Sequence, residues 1–269
     1  HYMVPELADD MKLTLCAEKP LQELAEVQAI GGQAKLVVIG PYTFLKLAHY
    51  TGKKQAVDFA DALSGIYCTL LQQADKRHLD WMAFDEPALV MDMTDEDRSL
   101  LHRLYTGILT QKGAVKCLCQ TFFGDVRDCY DELVKMDFDG IGLDFCESKM
   151  SKRLLQGGFP KDKILFAGVI NGKNIWRSHY AKKLFLLRQL QKKAGRLVLS
   201  SSCSLLHVPF TTANEEKMGI DYTQYFAFAV EKIQELAELK MLLDCENLAE
   251  NPVYAANTTL FSVKRVLSD

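Results

Sequence analysis

The sequence predicts an α/β fold of (β/α)8 TIM-barrel type, truncated to about six βα units, and three observations carry that prediction. First, six short β-rich apolar runs recur: Leu36 to Gly40, Trp81 to Glu86, Lys116 to Phe123, Gly140 to Cys146, Ile164 to Ile170 and Leu197 to Cys203. Apolar residues at spacings of three and four, the helical period, fill the segments between them. Such alternation builds right-handed βαβ units and a parallel sheet. Second, the runs are apolar on both faces, as strands covered by helices are. Third, each run ends in or runs straight into small, polar or charged residues, as at the C-terminal mouth of a parallel barrel, where barrel chemistry is built. Six units would also suit an open doubly wound sheet. However, no run is followed by G-x-G-x-x-G, Gly31-Gly32 precede a strand, and no G-x-x-x-x-G-K-S/T loop occurs. A closed parallel barrel needs eight strands. Two are therefore expected to be missing on the N-terminal side, and the opening His1, with no start Met, reads as a cut into something longer.

Composition narrows the function classes. The chain has 269 residues, 48% hydrophobic, with 32 Lys and Arg against 35 Asp and Glu and a net charge of −3. A near-balanced charge without a basic block gives no footprint for nucleic acid or an anionic membrane surface. The longest apolar runs, such as Ile164 to Ile170, fall far short of the ~20 residues of a membrane span. No charged segment leads an apolar one at the start, so no signal peptide is expected. Eight cysteines, several inside apolar runs (Cys68, Cys117, Cys119, Cys146), do not make a disulfide scaffold. Reduced thiols and a cytoplasmic location are expected.

The helical segments follow in order. Asp58 to Gln73 puts Phe59, Ala62, Leu63, Ile66, Tyr67 and Leu70 on one stripe, and Asp97 to Leu109 and Trp176 to Leu190 read the same way. Tyr222 to Leu243 is the longest helical pattern, uninterrupted by Gly or Pro. Thr94 ahead of Asp97, and Asp125 ahead of an apolar-periodic run, are helix-start signals. Tyr42 to Leu47, after Gly40-Pro41, reads as a loop passing into a helix whose free amides suit an anion. The body of the barrel is expected over residues 1–245. Residues 246–269, with Asn251-Pro252 and a patchier pattern, read as a linker or edge segment.

Candidate chemistry sits at the strand ends. Asp85 and Glu86 face opposite sides of their strand until the chain turns at Pro87, so one carboxylate can project into the mouth while the other anchors the following loop. An acid there can fix a substrate ammonium. Gln120 and Phe122 share one face of the third run and Cys117 and Cys119 the other. A lone C-x-C is a weak zinc signal, since structural zinc wants four N/S ligands. Asp144 ends the fourth run and either reaches the mouth or bonds the amides of the next loop. Cys203, with His207 four residues on, is a conceivable nucleophilic pair, but a Ser-rich turn closing a strand is the simpler account when no third orienting group is in sight. Asn171-Gly172-Lys173-Asn174 offers polar groups and a cation at another strand end.

Five motifs in order carry a resemblance. They are His1-Tyr2-Met3-Val4-Pro5-Glu6, Ile39 to Leu45, Asp85-Glu86-Pro87-Ala88-Leu89, Gly168 to Trp176, and Ser201 to His207. Together they resemble the N-terminal domain of cobalamin-independent methionine synthase, over residues 1 to about 245. The resemblance implies a tandem of two (β/α)8 barrels, of which this chain is the N-terminal one. It also implies methyl transfer from 5-methyltetrahydropteroyl-polyglutamate to homocysteine, with zinc and homocysteine held in the C-terminal barrel. Zinc would keep the thiol as thiolate near neutral pH.

That family's catalytic barrel holds zinc with a His-x-Cys pair, a Glu and a later Cys. Matched onto this chain, those positions are Gln120 and Phe122, Asp144, and Cys203. Phe122 cannot ligate and Gln120 replaces imidazole poorly, so this barrel is expected to hold no metal. The basic residues that contact the folate tail in the family lie upstream of His1. Asp85 matches an amino-group-binding acid of the second barrel and is read as a relic. The chain is thus expected to frame the folate cleft, to pack on the zinc barrel, and to be inactive alone. Two rivals remain: a stand-alone barrel enzyme of uroporphyrinogen-decarboxylase or thiol-methyltransferase type, with Asp85, Asp144, Cys203 and His207 at its mouth, and a purely structural or partner-binding module. Missing strands would leave sheet edges open, to be paired in a dimer or covered by Met3 to Leu15 or by the tail after Glu246.

Overall fold

A computed structural model describes residues 4–262, so His1 to Met3 of the first motif and residues 263–269 of the tail lie outside the described residues. The chain divides into two compact units, residues 1–143 with 162–164, and residues 144–161 with 165–269.

The first unit opens with β1 (Glu6–Leu7), α1 (Glu18–Ala29), β2 (Lys35–Ile39), α2 (Pro41–Lys46), β3 (His49–Tyr50) and α3 (Ala56–Asp75). It continues through β4 (Trp81–Asp85), α4 (Asp95–Leu109), β5 (Lys116–Gln120), α5 (Tyr130–Leu133) and β6 (Gly140–Asp144). Strands β2, β4, β5 and β6 run parallel, each paired with the next. The short β1 pairs with β3 instead. In this unit the four expected strand positions hold, each strand ending one to three residues earlier than its apolar run.

Strand alternation sorts the side chains of this sheet into two faces. Met82, Phe84, Cys117, Cys119, Ile141 and Leu143 are buried on one. Phe84 meets Tyr105 of α4 edge-on, with ring centroids 5.6 Å apart, and Tyr105 packs on Phe138 at 4.9 Å. Cys117 and Cys119 are therefore packing groups, as their position in an apolar run implies; burial pushes the Cys117 thiol up to about 12. The opposite face carries Ile39, Asp85, Gln120 and Gly142 in register across the four strands.

Helix α3 buries Phe59, Leu63, Tyr67 and Leu70 of the expected stripe, each worth about 1.5–3 kcal/mol when fully buried. Helix α4 starts where Thr94 signals it: the Asp97 amide donates to Thr94 Oγ1 at 3.2 Å and the Thr94 amide returns to Asp97 at 3.1 Å, a reciprocal cap. Asp125 does not start a helix. It is buried and takes the Arg127 guanidinium at 2.6–2.7 Å, and α5 begins only at Tyr130.

The second unit holds α6 (Met150–Leu154), β7 (Ile164–Ile170), α7 (Tyr180–Gln191), β8 (Leu197–Ser201), α8 (Ile220–Thr223), α9 (Ala229–Leu243) and α10 (Pro252–Ser262). β7 and β8 are parallel, with a register shift between Gly168 and Ile170. The single long helix expected over Tyr222 to Leu243 is two helices. The chain breaks between them because Phe226 forms an antiparallel bridge with Trp176 and their rings pack at 5.5 Å. Residues 252–262, within the segment read as linker or edge, form α10. Its buried Asn257 accepts from the Tyr180 amide (2.8 Å) and donates to the Ser178 carbonyl (2.9 Å). No helix among the described residues is long and apolar enough to cross a membrane.

Candidate functional site

In the first unit, the two adjacent acids at the end of β4 diverge as alternation requires. Glu86 is the anchor. It is fully buried, and its Oε1 accepts from the Tyr42 amide (3.0 Å) and the Tyr105 hydroxyl (2.6 Å), its Oε2 from the Thr43 amide (2.7 Å). Burial pushes its carboxyl up to about 7 against the pull of these hydrogen bonds. The amides at the start of α2, expected to suit an external anion, are thus taken by a carboxylate of the chain itself. That placement corrects the anion-site reading.

Asp85 turns to the opposite face and stays partly open. Burial lifts its carboxyl to about 6, with Lys35 on β2 pulling it back. Gln120, in register with Asp85 on β5, is 6% exposed and donates its Nε2 to the Thr121 carbonyl at 3.1 Å. The structure brings Asp85 and Gln120 together, with Glu86 directed away from them.

In the second unit, Asp144 is buried, and its Oδ1 accepts from the amides of Cys146 (2.7 Å) and Glu147 (3.0 Å). It takes the loop-bonding alternative, an Asx-type turn. Cys203 is 1% exposed, its Sγ 3.7 Å from the Ser204 carbonyl, and burial pushes its thiol up to about 11. His207 lies on an exposed short turn. A buried thiol shifted upward is the reverse of an activated nucleophile. Cys203 is accordingly expected to resist iodoacetamide at neutral pH while exposed Cys16 is labelled. Peptide mass mapping after a short pulse checks this, and labelling of Cys203 first would contradict it.

The loop after β7 is tied rather than open: Lys173 pairs with Glu147 at 3.2 Å, and Asn171 Oδ1 accepts from the Lys173 and Asn174 amides. Sequence reading missed a polar group inside this unit. Helix α9 buries Lys232 and Glu235 while exposing Val230, Ile233 and Met241. Glu235 Oε1 accepts from the Ser178 amide at 2.8 Å, and Lys232 Nζ donates to the Trp176 carbonyl at 3.3 Å. Burial shifts both toward neutrality, Lys232 downward and Glu235 upward. The clue available in the sequence is the apolar stripe Val230, Ile233, Ala237, Met241, which competes with the one that packs. Close by, the Lys183 ammonium lies 3.8 Å from Cys146 Sγ.

Of the four positions matched to zinc ligands, Phe122 has no donor atom, Gln120 Nε2 bonds the Thr121 carbonyl, Asp144 caps a loop and Cys203 is buried. Among the described residues no group of three His, Cys, Asp or Glu side chains is placed to hold a metal ion.

Comparison with known proteins gives this geometry its context. The family profile described as "Cobalamin-independent synthase, N-terminal domain" matches residues 1–195. The 5-methyltetrahydropteroyltriglutamate–homocysteine methyltransferase of Lactococcus lactis subsp. cremoris (strain SK11) is 43% identical over 99% of this chain and 35% of its own length. The enzyme of the same name from Streptococcus thermophilus is 44% identical, again over 99% of this chain and 35% of its own. The chain thus spans about a third of the length of these curated relatives. Among solved structures, a putative vitamin-B12 independent methionine synthase from Listeria monocytogenes superposes with a TM-score of 0.64 at 16% identity, covering 89% of this chain and 72% of that one. A B12-independent methionine synthase from Shewanella sp. W3-18-1, in complex with selenomethionine, gives 0.60 at 15% over the same shares. These two establish the fold, the barrel type that the succession of parallel βα units predicts. On the profile match and this identity, the chain belongs to the cobalamin-independent synthase family and corresponds to its N-terminal domain.

Proposed function

We propose that this chain is the non-catalytic wall of a folate-dependent methyltransferase. In this reading the whole protein moves a methyl group from 5-methyltetrahydropteroyl-polyglutamate to the thiolate of homocysteine. The chain frames one side of the folate cleft and packs on a C-terminal zinc barrel that supplies the thiolate chemistry. The observation that carries the reading is the identity of more than 40% over nearly the whole chain to relatives named as that methyltransferase. The local geometry supports the division of labour. Of the four positions matched to zinc ligands, two lack suitable donors, and Asp144 and Cys203 have been turned to loop capping and packing.

On this reading residues 1–245 are the barrel body and residues 246–269 lead toward the second barrel, with α10 seated on the first through Asn257. Eight free thiols suit a cytoplasmic protein. As for the open edge, Leu13, Thr14 and Leu15 share a cavity of about 370 Å³ with Val38 and Ile39 of β2, which supports covering by the chain's own N-terminal segment over an edge-paired dimer. The test is zinc content after purification in metal-replete buffer. Close to none per chain is expected. One zinc per chain, released by Cys203→Ser, would overturn the assignment of the metal to the other barrel.

A further inference from the structure

The face of the first unit's sheet opposite the aromatic cluster carries a polar pair that the proposed function does not use. Ile39, Asp85, Gln120 and Gly142 stand in one row across β2, β4, β5 and β6. Neighbouring strands lie about 4.8 Å apart, so the Asp85 and Gln120 side chains leave the sheet side by side. No described residue donates a hydrogen bond to the Asp85 carboxylate. The Gln120 amide lies over Gly142, where a Cβ would come within 2.3 Å of its Nε2 and Oε1, so a side chain there would displace the amide. With one Nε2 hydrogen on the Thr121 carbonyl, Gln120 has its amide oxygen and one further N–H left to offer. The row therefore presents two acceptors next to each other, one of them charged, against a single N–H donor.

Its neighbours in register and in sequence are apolar. Ile39 is 47% exposed on the β2 side. Two and three residues beyond Gln120 come Phe122 and Phe123, with ring centroids 5.9 Å apart, and Phe123 is held at φ +70°. A bulky residue in the left-handed region is strained, and such strain persists only where the surroundings impose it. Two adjacent acceptors call for a cation with several N–H donors. Apolar and aromatic neighbours suit a flat, weakly hydrated cation better than a compact, strongly hydrated ammonium. A metal ion is a poorer match, because two oxygens fill too little of its coordination shell.

We propose that Asp85 and Gln120 form a binding site for the amidinium or guanidinium group of a small planar ligand, with Ile39 and the Phe122–Phe123 pair flanking it. The site belongs to this chain alone and stands whether or not the methyltransferase reading does.

The probe is benzamidine, with neutral benzamide as its isostere, titrated into the 15N-labelled chain and followed by amide chemical shifts. Benzamidine is expected to move the amides around Asp85, Gln120 and Gly142, and benzamide to leave them in place. Asp85→Asn preserves shape and should weaken binding about tenfold, the loss of one charge-assisted bidentate contact. Gln120→Met should weaken it by a smaller factor, and unchanged spectra elsewhere will show that both variants are folded. Equal response to benzamide, full affinity in Asp85→Asn, or shifts confined to another part of the chain would overturn the proposal.

Discussion

Replacing Glu86 by Ala is expected to cost about 3–5 kcal/mol of folding stability, because three buried donors lose their only strong acceptor at once. The amides of Tyr42 and Thr43 cannot reach water without unwinding the first turn of α2, and the Tyr105 hydroxyl is sealed in the aromatic cluster with Phe84 and Phe138. Urea denaturation gives the number directly, and a loss below about 1 kcal/mol would mean that the loop re-pairs elsewhere.

The same residue sets a dependence on pH. Its folded-state pKa of about 7 lies above the ordinary value of 4.5, so the native state holds the proton longer than the unfolded chain. At pH below 4.5 the carboxyl is protonated in both states and its contribution is fully present. As pH rises through 4.5 to 7 the unfolded chain ionises first, and this contribution falls by about 3 kcal/mol. Glu86→Gln removes the titration and keeps one acceptor oxygen. The advantage of wild type over Glu86→Gln should therefore shrink across that window. A constant difference would contradict the assignment.

The second large effect is expected from Gly172→Ala in the loop after β7. A Cβ there would sit 2.7 Å from the Cys203 carbonyl oxygen and 2.8 Å from its Sγ. The carbonyl belongs to backbone held next to β8 by the Ser202 amide bonding the Ile170 carbonyl at 2.7 Å, so it has little room to retreat. Overpacking of this kind costs about 1–3 kcal/mol, and displacing the loop also breaks the Gly172 amide's bond to Ser202 Oγ. Thermal melts of Gly172→Ala and of Gly172→Ala/Cys203→Ala separate the two contacts. Trimming the thiol relieves Sγ but leaves the carbonyl in place, so only partial recovery is expected. Full recovery would show that the thiol alone limits the space.

What the sequence made legible follows the range of the interactions involved. The six strands and the α3 and α4 helices were readable because period and local capping specify them, as with Thr94 and Asp97. That Asp85 and Glu86 diverge was also readable, from alternation alone. Which of the two would anchor was not. That choice depends on Tyr105 and on the Tyr42 and Thr43 amides, brought in from 19 to 44 residues away. Asp144 and Cys203 each had two readings in the sequence, and the buried backbone partners that decide between them appear only on folding. The break before α9 escaped for a similar reason: no Gly or Pro marks it, and the Trp176–Phe226 bridge spans distant parts of the chain. Helix α9 was misleading in a different way, since it packs Lys232 and Glu235 inward and turns an apolar stripe outward, against the usual amphipathic rule.

Methionine formation from 5-methyltetrahydropteroyl-triglutamate and homocysteine, measured with this chain alone and with a full-length relative such as the Lactococcus lactis methyltransferase, tests the division of labour most directly. The relative should turn over, and the chain alone should give no methionine above the uncatalysed background, with or without added zinc. Zinc-dependent methionine formation by the chain alone, abolished by Asp144→Asn or Cys203→Ser, would contradict the account and place the chemistry in this barrel.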